Sequence, residues 1–113
     1  MRELARITLE RRGYRVLISP NAADAISIAG KEGQAIDMLI TDVIMPGMNG
    51  RQLYERLAAM KPDLKVLFMS GYTENVIAEH GILDAGVNFI QKPYGIDEFA
   101  RKVHAILSAP PAP

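Results

Sequence analysis

Cysteine is absent from these 113 residues. Its absence removes a disulfide framework, a zinc ribbon and a thiol nucleophile from consideration, and it fits a cytoplasmic setting. Net charge is missing too, because thirteen basic residues balance thirteen acidic ones. A nucleic-acid or membrane surface needs clustered positive charge, so neither partner is expected. No apolar run approaches the roughly 20 residues that cross a bilayer. The opening Met-Arg-Glu-Leu-Ala-Arg is amphipathic and charged, unlike a secretory leader. His80 and His104 have no ligand-spaced partners, which argues against an imidazole metal centre. Gly47-Met48-Asn49-Gly50 lacks the glycine spacing of a dinucleotide loop and the Gly-Lys-Ser/Thr of a phosphate loop, so it reads as a turn.

What is present is an alternation of helix and strand patterns. With 49% hydrophobic residues the chain can bury one core and little more. A helix is expected over 2–12, ended by Gly13, and a strand over Tyr14–Ile18, rich in β-branched and aromatic types. Pro20-Asn21 opens a second helix from Ala22 to Ala29, with Ala22, Ala25, Ile26 and Ala29 on one face and Gly30 and Gly33 closing it. Ile36 to Thr41 is a mostly apolar strand suited to cover on both faces. Further helices are expected at Gly50–Met60, Thr73–Glu79 (Thr73 as N-cap) and Ile96–Leu107, the last with Phe99, Val103, Ile106 and Leu107 inward. Further strands are expected at Lys65–Met69 and Val87–Gln91. Residues 1–108 read as one domain, and Ala109-Pro-Pro-Ala-Pro113 as a tail that cannot extend a helix.

Chemistry concentrates at three strand ends. Met38-Leu39-Ile40-Thr41-Asp42 delivers a lone carboxylate, and the chain then turns through Pro46, Gly47 and Gly50. Lys65-Val66-Leu67-Phe68-Met69-Ser70 stops at a hydroxyl, and Asn88-Phe89-Ile90-Gln91-Lys92-Pro93 at a cation. Ligands of parallel sheets gather at the carboxyl ends of the strands. An acid, a hydroxyl and a lysine there form a phosphate-handling set.

In their order, Thr41-Asp42-Val43-Ile44-Met45-Pro46-Gly47-Met48-Asn49-Gly50, then Met69-Ser70-Gly71-Tyr72, then Lys92-Pro93, these motifs resemble the receiver domain of two-component response regulators. The resemblance runs from Met1 to about Leu107. It implies a flavodoxin-like α/β fold, a doubly wound parallel sheet. It also implies that the family's first strand, central in the sheet and closed by an acidic pair, is not in this chain, which starts within the first helix. A fragment, a mis-set start, or a sheet completed by exchange between protomers would each account for that.

The resemblance further implies that a histidine kinase or phosphotransfer domain passes a phosphoryl group to Asp42. Mg2+ would sit on Asp42 and the Ile44 backbone carbonyl, Ser70 would hydrogen-bond a phosphoryl oxygen, and Lys92 would pair with another. Neither Asp63 nor Glu74 matches the family's acidic pair. If the chain is complete, weak metal binding and slow or absent phosphorylation are expected. Phe89, three residues before Lys92, would be the switch aromatic, and Asn75, Ile82, Gln91, Tyr94 and Glu98 would contribute to an output face toward a partner protein. The Lys92–Pro93 isomer is left open. By itself the domain is not an enzyme, although Met-Ser-Gly-Tyr and Lys-Pro-Tyr are most similar to receivers attached to hybrid histidine kinases. Two other readings stand beside the signalling one. A receiver-like binding module without phosphate is favoured by the missing acidic pair, and a small aspartyl-phosphate hydrolase is disfavoured because Ile44 stands where its second aspartate would be.

Overall fold

Helix α1 (Arg2–Arg11) stops because glycine takes over. Gly13 adopts φ +94°, a conformation that is strained for residues with a β-carbon. Gly13 N–H then reaches the Glu10 carbonyl and Tyr14 N–H the Leu9 carbonyl. These two bonds make a Schellman stop, whose usual apolar contact is supplied by Tyr14 and Leu9 in one cluster. The computed structural model describes residues 2–32, 35–45, 47–73, 77, 81 and 87–109.

Helix α2 (Ala22–Glu32) begins at Asn21, whose Oδ1 accepts the Asp24 N–H at 2.8 Å. It runs through Gly30, where closure was expected. Helix α3 (Gly50–Met60) has the expected bounds, and a capping box sets its start. Gln52 N–H donates to Asn49 Oδ1 at 2.8 Å, and Asn49 N–H donates to Gln52 Oε1 at 3.0 Å. Asn49→Ala should therefore cost about 1 kcal/mol, read as a lower urea midpoint, while Asn49→Asp should retain most of it. Helix α4 (Ile96–Ser108) buries Phe99, Ala100, Val103 and Ile106. Its carboxyl end is held by Lys65 Nζ, which donates to the Leu107 carbonyl at 3.0 Å and the Ala109 carbonyl at 2.6 Å. Those carbonyls have no partner within the helix.

Strands β1 (Met38–Asp42), β2 (Lys65–Ser70) and β3 (Phe89–Gln91) form a parallel sheet in that order. Alternation sends Met38, Ile40, Leu67, Met69 and Ile90 to one face, where α1 and α4 supply Leu9, Phe99, Val103 and Ile106. Leu39, Val66, Phe68 and Phe89 point to the other, covered by α2, α3 and Ile77. Helices thus lie on both faces of a parallel sheet, as expected for a doubly wound fold. Register places Asp42 beside Met69, and Ser70 beside Gln91. The three strand ends therefore meet at one edge of the molecule.

One expected strand is corrected. Tyr14–Ile18 carries no ladder, and among the described residues no strand lies along it. The alternation is present, since Tyr14 and Val16 pack into the core while Arg15 and Leu17 are exposed. A strand, however, is defined by its hydrogen-bonded neighbour as well as by its pattern. Likewise, β1 is paired on one side only, with β2, among the described residues. Of the expected Thr73–Glu79 helix, Ile77 is helical and its N–H meets the Thr73 carbonyl at 3.1 Å. The rest of that helix, His80 and residues 110–113 lie outside the described residues.

Candidate functional site

Asp42 ends β1 with its side chain about half exposed, and Lys92 Nζ donates to its Oδ1 at 2.5 Å. Three contacts fix the backbone around it. The Val43 N–H donates to the Met69 carbonyl at 2.8 Å, and the Gly50 N–H donates to the Val43 carbonyl at 2.7 Å. The Thr41 hydroxyl donates to the Asp42 carbonyl at 3.0 Å. Helix α3 starts so close to β1 that a β-carbon at Gly50 would lie 2.3 Å from the Asp42 carbonyl oxygen. Gly50 is thus required by proximity, a role its place in a turn motif did not reveal. Gly47, at φ +80°, completes the reversal between strand and helix.

Ser70 ends β2 and is 6% exposed. Its Oγ accepts the Tyr72 N–H at 3.0 Å, which leaves the hydroxyl its own proton to donate. Lys92 follows β3, and its N–H donates to the Ser70 carbonyl at 2.7 Å, so the cation and the hydroxyl are linked through the main chain. The Lys92–Pro93 bond is cis. The Asp42–Lys92 pair is 40–44% exposed, and such pairs contribute at most about 1 kcal/mol. It orients the ammonium without locking the carboxylate.

The remaining expected residues divide. Phe89 is a core residue, 8% exposed and packed with Val43, Val66, Phe68 and Ile77. Gln91 and Glu98 are exposed. Tyr94 is half-buried: its ring stacks on Phe99 at 5.4 Å and its hydroxyl donates to Met69 Sδ at 3.2 Å. Burial raises the Tyr94 hydroxyl above the usual phenol range, with Lys92 lowering it and Asp42 raising it by smaller amounts. It stays protonated at neutral pH and can donate. Asn75, Ile82, Glu74 and Pro46 lie outside the described residues. Ile44, two residues past Asp42, is exposed. Among the described residues no group of three or more Asp, Glu or His gathers to hold a metal ion. None of the described helices is long and apolar enough to cross a membrane.

A carboxylate, a buried hydroxyl and an ammonium thus stand at adjacent parallel strand ends. The family model for the response regulator receiver domain matches residues 1–104, and the chain belongs to that family. The sensor kinase CckA of Brucella abortus (strain 2308) is 34% identical over 99 residues, which cover 88% of this chain and 10% of CckA. The response regulator receiver protein CpdR of the same organism is 28% identical over 109 residues, covering 96% of this chain and 89% of CpdR. The solved receiver domain from the hybrid histidine kinase CckA superposes with a TM-score of 0.78 at 34% identity, covering 95% of this chain and 89% of that one. Chemotaxis protein CheY4 of Vibrio cholerae gives 0.79 at 20% identity, covering 93% and 88%, a likeness of fold alone. This chain spans only 10% of CckA and 22% of the transcriptional regulatory protein DctD of Rhizobium meliloti (strain 1021).

The fold is thus α/β and flavodoxin-like, and the chain is a phosphoacceptor signalling domain of two-component systems. Receiver domains are generally non-catalytic, bind Mg2+ at an acidic site, and work with histidine kinases or phosphotransfer proteins and with output domains.

Proposed function

We propose that Asp42 is the residue that takes the phosphoryl group. The carrying observation is the direct contact of Lys92 Nζ with Asp42 Oδ1, with the buried Ser70 at the end of the adjacent strand and its carbonyl bonded to the Lys92 N–H. Phosphoryl transfer depends on positioning and on neutralising charge spread over the transferring oxygens, with little covalent work for the protein. A carboxylate oxygen of Asp42 would bond to phosphorus as the bond to the donor's leaving group breaks. Lys92 would move from the carboxylate to a phosphoryl oxygen, a cheap exchange for a half-exposed pair. Ser70 would donate its hydroxyl proton to a second oxygen.

Mg2+ would be held by Asp42 and the Ile44 carbonyl, hard oxygen donors of the kind it takes, and when bound it would neutralise developing negative charge. Mg2+ is commonly held by one or two carboxylates plus phosphate and water. The described residues offer the lower number, so binding is expected to be weak. Phe89 is already buried in one cluster with Phe68 and Ile77, so a displacement at the end of β2 would reach Ile77 through shared packing. A two-state element biased by a local charge change is the usual form of such a switch. The donor would be a histidine kinase or phosphotransfer domain.

Incubating the chain with phosphoramidate, with and without Mg2+, and measuring intact mass tests this reading. One phosphoryl group should add, and Asp42→Asn should add none. The lone carboxylate favours a second reading, a binding module that works without phosphate. No addition under either condition would reject Asp42 as an acceptor in this chain and leave that second reading.

A further inference from the structure

Lys92 acts at the end of a long, mobile side chain, and its value to the site depends on where its backbone is held. Upstream, its N–H is tied to the Ser70 carbonyl at 2.7 Å. Downstream, two residues on, Tyr94 turns back toward the sheet. Its hydroxyl meets Met69 Sδ at 3.2 Å, and its ring stacks 5.4 Å from Phe99 at an interplanar angle of 18°. Both partners are well fixed. Phe99 is 1% exposed in the core, and Met69 is the strand residue paired across from Asp42. The strand that flanks the acceptor thus carries both ends of the bracket around Lys92. Tyr94 also lies close enough to feel the charges of Lys92 and Asp42.

We propose that Tyr94 is a positioning residue for the phosphoacceptor site: docked on Phe99 and Met69, it holds the loop after β3 so that Lys92 reaches Asp42. This rests on the reading of Asp42 and Lys92 given above. Aromatic stacking supplies most of the anchoring, because a hydroxyl–thioether contact is a weak hydrogen bond. The ring is therefore the part that matters most.

The test measures Lys92 directly, by competitive acetylation of the folded chain with N-hydroxysulfosuccinimide acetate and peptide mass analysis. Lys31 and Lys102 serve as internal references. Tyr94→Ala should raise Lys92 labelling relative to both by about threefold, the scale on which a half-exposed ion pair protects an amine. It should also slow phosphorylation by phosphoramidate. Tyr94→Phe keeps the ring and should leave both readouts near those of the parent chain. Tyr94→Leu keeps apolar bulk without the stack, and guards against a variant that merely loosens. In a folded Leu variant Lys92 should still label faster than in the parent.

Unchanged Lys92 labelling in folded Tyr94→Leu would overturn the proposal, as would Lys92, Lys31 and Lys102 rising together in that variant. The labelling arm needs no phosphoryl transfer. If the parent chain takes no phosphate, the reading of Asp42 fails while the role of Tyr94 is still decided.

Discussion

Adding one methyl group at Gly50 should disable the acceptor site. The new β-carbon would lie 2.3 Å from the Asp42 carbonyl oxygen, 3.1 Å from Thr41 Cγ2 and 3.2 Å from the Asp42 carbonyl carbon. Two of these neighbours are backbone atoms, which cannot swing aside as a side-chain tip can. Alanine gains up to about 1 kcal/mol over glycine in a helix, but overpacking a tight contact costs about 1–3 kcal/mol. The clash should win, either lowering stability or moving Asp42 away from Lys92. Gly50→Ala is thus expected to lower the urea midpoint and to slow phosphorylation sharply. Gly30→Ala is the matched control: it lies within α2, and its β-carbon would meet nothing within 4 Å. That variant should be stabilised by about 0.5–1 kcal/mol. Equal midpoints for the two variants would mean that α3 does not approach β1 as closely as described.

Phe99→Ala should have the largest effect on stability. Phe99 is 1% exposed and sits where α4 meets the sheet, in a cluster with Leu9, Leu67, Ile90, Val103 and Ile106. Removing a buried phenyl ring costs about 3–5 kcal/mol, against a total of about 5–15 kcal/mol for an ordinary domain. A large drop in the denaturation midpoint is expected, read by circular dichroism in urea, with a smaller drop for Phe99→Leu. The same substitution also removes the surface on which Tyr94 stacks. Phe99→Ala should therefore impair the site even where the chain remains folded.

Features set by local chemistry were legible in the sequence. The end of α1 follows from Gly13, and the start of α3 is set by the Asn49–Gln52 capping box, because capping involves residues a few positions from one another. The strand cores at Met38–Asp42 and Lys65–Ser70 were legible from apolar runs with polar ends. Asp42, Ser70 and Lys92 were found as strand-end groups and through family resemblance, and register brings all three to one edge of the sheet.

Non-local features were not legible. Tyr14–Ile18 has strand composition, but a ladder depends on a neighbour that the segment's own residues do not specify. Gly50 looked like one more turn glycine, because its constraint comes from a carbonyl eight residues away in the chain and adjacent only in space. Tyr94 was expected on an output face, yet its hydroxyl turns inward to Met69, a contact 25 residues apart in sequence. The clamp of Lys65 on the Leu107 and Ala109 carbonyls at the end of α4 spans more than 40 residues and had no local signal.

Asp42 as carrier of the phosphoryl group is tested most directly by locating the modified residue. Reduction of the phosphoramidate-treated chain with borohydride converts an aspartyl phosphate to homoserine, and peptide mass analysis then locates it. Homoserine at position 42, and at no other aspartate, is the predicted result. Homoserine at another aspartate, or a phosphorylated chain that yields none, would contradict the assignment.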